Sequence, residues 1–155
     1  MTDTNLSDKE WEAHMWLSRA WNDEDRITSC RAQLDKIISE LSGIGKYDVE
    51  FIPAQTGENS VETKYLEYSQ TRAEMEKAII DRSVKNKVTK EYIDKLQDKR
   101  LGNMLYDRYI VRLSWKHIGD KYHYAQRQPY RLRHQCLSAI RPLLPEDEVR
   151  EVCYG

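Results

Sequence analysis

The chain has 155 residues, of which 39% are apolar and 33% charged, with only six Gly and one Phe. That composition argues against a β-rich fold, and no apolar run approaches the roughly 20 residues a membrane span needs. The net charge of −1 hides an asymmetry: Lys95 to Arg141 holds eleven Lys/Arg against three Asp/Glu, a balance of +8, and the remainder carries −9. A basic segment joined to an acidic remainder fits a nucleic-acid-binding unit attached to a different kind of module.

The first predicted element runs from about Asp8 to Leu41. Ala13, Trp16, Ala20, Asp23, Ile27, Cys30, Leu34, Ile37 and Leu41 alternate three and four apart, a heptad seam with one polar break at Asp23. Ser7 and Glu10 make a capping box for its start. Gly43 and Gly45 end it. Residues 43–60, with Pro53 and Gly57, read as a connection, and the alternation from Tyr47 to Ile52 suggests extended chain. A second long helix starts near Ser60, with Val61, Tyr65, Tyr68, Arg72, Met75 and Ile79 at helical spacing and Ile80, Val84 and Val88 widening the stripe. The two helices suggest an antiparallel hairpin, packed on itself, on a second protomer, or on both.

Thr89 reads as the cap of a short helix carrying Tyr92, Ile93 and Leu96. A further helix covers Asp98 to Val111, with Leu101, Leu105, Tyr109 and Ile110 on its apolar face. Ser114 then caps a helix whose Trp115, Ile118 and Tyr122 face one way. Gly119 stands where two helices must approach closely, and Asp120 to Tyr124 is a turn. The next helix buries Leu132, Cys136 and Ile140 and ends at Pro142 and Pro145. From Glu146 the tail is acidic and is expected to be loose or a short docking turn.

The exposed residues of that last helical pair carry the functional reading. Gln126, Arg127, Gln128, Arg131, His134 and Gln135 share the surface of the second helix. Arg can donate two parallel hydrogen bonds to guanine, and Gln can pair with both edge groups of adenine. A helix-turn-helix placing such a face in the major groove is the expectation. Lys116 and Lys121, with Arg108 and Arg112, are candidates for phosphate contacts. Tyr122, Tyr124 and Tyr130 either hydrogen-bond phosphates or complete a small core. The competing interpretation of the whole face is simple solvation.

The segment Leu105-Tyr-Asp-Arg-Tyr-Ile-Val-Arg-Leu-Ser-Trp-Lys-His-Ile-Gly-Asp-Lys-Tyr-His-Tyr-Ala-Gln-Arg-Gln-Pro-Tyr-Arg-Leu-Arg resembles the fourth region of bacterial sigma factors. It is more closely similar to the Gram-positive phage family of ArpU and RinA type late-transcription regulators, whose layout is a long helical N-terminal half, a Ser-Gly loop, a second helix and a sigma-like C-terminal domain. The resemblance implies sequence-specific binding to phage DNA and control of late genes. Two positions depart from the family. Ala125 stands where a Ser or Thr caps the recognition helix, and Pro129 where a β-branched core residue is usual. Because proline suits a first helical turn, the helix is expected to begin at Gln128 or Pro129. Gln126 and Arg127 then lie in the turn near phosphate, leaving Arg131 and His134 to reach bases.

The remaining signals are weak. Cys30, Cys136 and Cys153 are odd in number and widely spaced, so free thiols are expected and no disulfide framework follows. His117, His123, His134 and Cys136 match no zinc spacing. No phosphate loop or catalytic motif is present, so neither enzyme nor cofactor is expected. The N-terminus lacks a secretory pattern, which gives an expected cytoplasmic protein of the bacterial host. The combined expectation is an all-α chain. Residues 7–88 form a coiled-coil-like hairpin for oligomerisation or partner contact, residues 89–142 a sigma-region-four-like helix-turn-helix domain, and residues 143–155 an acidic tail. Its partners would be double-stranded DNA, RNA polymerase and a second copy of itself, with a dimer favoured. Two rivals remain open: a small terminase subunit for phage DNA packaging, and a helical adaptor without DNA binding.

Overall fold

The computed structural model describes residues 5–45 and 61–155, and these residues are all-α. Seven α-helices follow one another: α1 (Asp8–Leu17), α2 (Trp21–Gly45), α3 (Val61–Ile93), α4 (Lys99–Leu105), α5 (Trp115–Lys121), α6 (Gln128–Ile140) and α7 (Glu146–Tyr154). A π-helical turn, Tyr106–Ile110, prolongs α4, and a 3-10 turn, Arg141–Leu143, follows α6. None of the described helices is long and apolar enough to cross a membrane. The expectations on residues 46–60 lie outside the described residues.

The chain divides into two compact units: Met1–Ala20 with Val84–Gly155, and Trp21–Ser83. This differs from a division near residue 88. In the second unit, α2 and α3 run antiparallel, because Glu40 pairs with Lys64 at one end and Asp81 with Arg26 at the other. Ile27, Cys30, Leu34 and Ile37 of α2 are buried as their spacing predicts. On α3 the expected stripe is only partly covered. Thr71 and Ala78 are buried, whereas Tyr65, Arg72, Ile80 and Val84 face solvent. Tyr68, Met75 and Ile79 of the expected stripe are half-buried, but the fully buried positions fall beside them on the small residues Thr71 and Ala78.

The first predicted helix is two. Ser18 caps α1, and its hydroxyl donates to the His14 carbonyl at 2.8 Å, a side-chain bond that competes with helix continuation. Arg19 donates to the Trp16 carbonyl (2.9 Å), to Thr89 Oγ1 (2.8 Å) and to the Lys85 carbonyl (3.3 Å). Thr89 is thus a buried partner inside α3, not a cap. The α1 helix packs against α6 and α7. Its capping box is as expected: Ser7 Oγ accepts from Glu10 N–H, and Glu10 accepts from Ser7 N–H. The acidic tail is α7, which buries Val149 and stacks Tyr154 against Trp11 at 6.0 Å.

Leu101, Met104, Leu105, Tyr109, Trp115, Ile118, Leu132, Cys136, Leu137 and Ile140 make one apolar core. Each such side chain contributes roughly 1.5–3 kcal/mol on leaving water. Polar groups lock α1 onto this core. Arg141 donates Nε to Glu12 (3.0 Å) and both Nη groups to Glu146 (2.8 and 3.1 Å), and Tyr154 donates to Glu12 at 2.8 Å.

Candidate functional site

The site is built on α5, α6 and the turn between them. Ser114 caps α5, its Oγ accepting from His117 N–H at 3.1 Å. Trp115 and Ile118 point into the core. The helix ends in a Schellman motif: His123 N–H donates to the Asp120 carbonyl, and Tyr124 N–H to the Gly119 carbonyl. His123 occupies the left-handed position (φ 60°) that glycine usually fills. Chain reversal is therefore encoded by backbone hydrogen bonds as well as by composition.

Gly119 and Pro129 are the point of closest approach between α5 and α6. A Cβ on Gly119 would lie 2.6 Å from Pro129 Cγ, so only glycine lets α5 and α6 come this close. Pro129 sits in the first turn of α6, buried, where its missing N–H costs no helical bond. The α6 helix begins at Gln128, and Gln126 and Arg127 precede it in the turn.

The candidate residues fall into three groups. Gln128, Arg131 and Gln135 lie along one exposed face of α6 and share a shallow groove with Gln126 and Arg127. Lys116, Gln126 and Tyr130 line a second groove, across the Gly119–Pro129 contact. Lys121 and His134 are committed elsewhere. Lys121 Nζ donates to both oxygens of the buried Asp107 at 3.0 Å, and Tyr122 Oη donates to Asp107 at 2.6 Å. The Lys121 ammonium is held above its ordinary pKa by that carboxylate. His134 Nδ1 lies 3.1 Å from Glu10 Oε1, and Ser138 Oγ donates to the same carboxylate. His134 therefore marks the flank where α1 borders α6, not the centre of the exposed face. Arg108 donates to the Leu113 carbonyl at 3.1 Å, tying the π-turn to the start of α5.

No family model, curated protein or solved structure matches the chain. The likeness to the ArpU and RinA regulators therefore rests on the residues quoted above.

Sequence reasoning missed Asp107, and it found Glu10 only as the capping partner of Ser7, not as the partner of His134 and Ser138. Asp107 is a buried carboxylate bonded fourteen and fifteen residues along the chain, and Glu10 one bonded across 124. Burial pushes Glu10 upward, but the Ser7 N–H, His134 and Ser138 together outweigh it and leave its pKa below the ordinary value. No local pattern announces either partner set. The one available signal for Asp107 was an isolated acid within a strongly basic segment.

Proposed function

We propose that α5 and α6 are a helix-turn-helix that binds double-stranded DNA, and that the chain regulates transcription by sequence-specific binding. The observation that carries this reading is the solvent-facing line Gln128, Arg131 and Gln135 on α6, with Arg127 beside it. These residues are spaced three and four apart and run from the first turn of the helix, the part that contacts base edges when such a motif docks, to its middle. Arg131 suits guanine and the two Gln suit adenine. Lys116, Arg127 and Tyr130 flank the face and reach phosphates. Lys121 contributes less, because Asp107 neutralises it. The likeness to phage late regulators points to late promoters as targets.

The test is binding to random and selected duplexes at two salt concentrations. Affinity should fall steeply with salt, since each neutralised phosphate adds about 0.9 to the slope of log K against log salt. Arg131→Ala should cost roughly 1–3 kcal/mol of discrimination between target and random DNA. Arg127→Ala should weaken both equally and reduce the salt slope by about one. A chain that binds no duplex at either salt concentration is an adaptor, and the reading is then wrong.

A further inference from the structure

We propose that the outward face of α3 within the hairpin is a dimer interface whose partner is a second copy of this chain. Leu66, Ala73 and Ile80 recur every seven residues, so they share one side of the helix. All three are exposed, Leu66 at 58% and Ile80 at 62%, and Tyr65 beside them is 60% exposed. This side lies opposite the line Tyr68, Thr71, Met75 and Ala78, where Thr71 and Ala78 are the buried positions on α2. A seven-residue repeat held on the solvent side lines three positions along one edge of the helix, which a scatter of single exposed apolar residues would not do.

The charges beside the seam identify the partner. Arg72 and Glu76 flank Ala73 on one side, joined at 3.3 Å and both largely exposed. Glu74 and Lys77 flank it on the other. Each flank thus carries both signs and is complementary to itself. An antiparallel copy centred on Ala73 brings Leu66 against the partner's Ile80 and Arg72 beside the partner's Glu76. A parallel copy brings Arg72 beside the partner's Glu74. A two-fold axis repeats each pairing, as an isologous interface requires. The proposal is independent of whether α6 binds DNA.

Sedimentation equilibrium of the full chain tests it. The wild type should sediment at twice the chain mass of 18.4 kDa. Leu66→Lys with Ile80→Lys should sediment at the single mass with unchanged helical circular dichroism. Should that pair of lysines prevent folding, Leu66→Ala with Ile80→Ala should raise the dimer dissociation constant by at least roughly tenfold. A wild-type chain at single mass, including one whose seam is covered by its own residues, overturns the proposal. A dimer unaffected by the substitutions overturns it too.

Discussion

The two units of this protein are held together by different means. The Trp21–Ser83 hairpin is a single seam: four buried apolar residues of α2 meet small residues of α3, with ion pairs at its ends. The Met1–Ala20 and Val84–Gly155 unit closes short helices from distant parts of the chain around one core. It adds buried carboxylates with fixed partners: Glu10 with His134 and Ser138, Glu12 with Arg141 and Tyr154, and Asp107 with Lys121 and Tyr122. The difference teaches where specificity of fold resides. A hairpin seam tolerates change because each contact is local and repeated. A unit built on long-range polar contacts fails when one partner is lost, since a buried charge without a partner is costly.

The sharpest way to separate the units uses their own thiols. Cys30 is buried in the hairpin and Cys136 in the compact unit, where burial pushes its pKa up to about 12. Trp115→Ala should cost about 3–5 kcal/mol for a large buried aromatic. It should make Cys136 reactive to a thiol reagent while Cys30 stays protected, as read by site-resolved mass spectrometry. Equal exposure of both cysteines would break the comparison.

Gly119→Ala comes next, at about 1–3 kcal/mol, because its Cβ must displace Pro129. Urea midpoints should fall and DNA affinity should fall with them. An unchanged midpoint would mean that α5 and α6 part easily. Tyr122→Phe removes the hydroxyl bonded to Asp107 and should cost roughly 1.5–3 kcal/mol, the range for a bond to a charged group.

Acid should affect the compact unit through Glu10 and Glu12. Tyr154 lowers Glu12 first, and Arg141 adds to it against the opposing effect of burial. Both carboxylates are depressed below 4.5 in the folded chain. Their contribution is therefore complete above that value and is lost as pH falls through the folded pKa. Melting temperature should drop below about pH 4.5, and Glu10→Gln should flatten that drop. A steeper profile in the variant would contradict the assignment. The smallest effect belongs to the hairpin surface: Asp81→Ala breaks a pair with Arg26 in which both side chains are 38% exposed, and should cost under about 1 kcal/mol.

Much was legible in the residues themselves. Apolar spacing located the buried positions of α2 and the core residues Leu101, Leu105, Trp115, Ile118, Leu132, Cys136 and Ile140. Ser7 and Ser114 marked helix starts, and Pro129 located the start of α6, because caps and proline act within one helical turn. The exposed residues of α6 were readable for the same local reason.

Tertiary structure decided the rest. It broke the first helix at Ser18, although Ala13 to Ile37 keeps its three-four spacing through the polar Asp23, because Trp16 and Leu17 are buried in one unit and Ile27 to Ile37 in the other. It made a helix of the acidic tail, since Glu146 and Tyr154 answer Arg141 and Glu12. It also engaged His134 with Glu10 and Lys121 with Asp107. Periodicity reports which side of a helix is apolar. Which distant carboxylate a cation will meet depends on chain segments up to 124 residues away, and no local pattern carries that information.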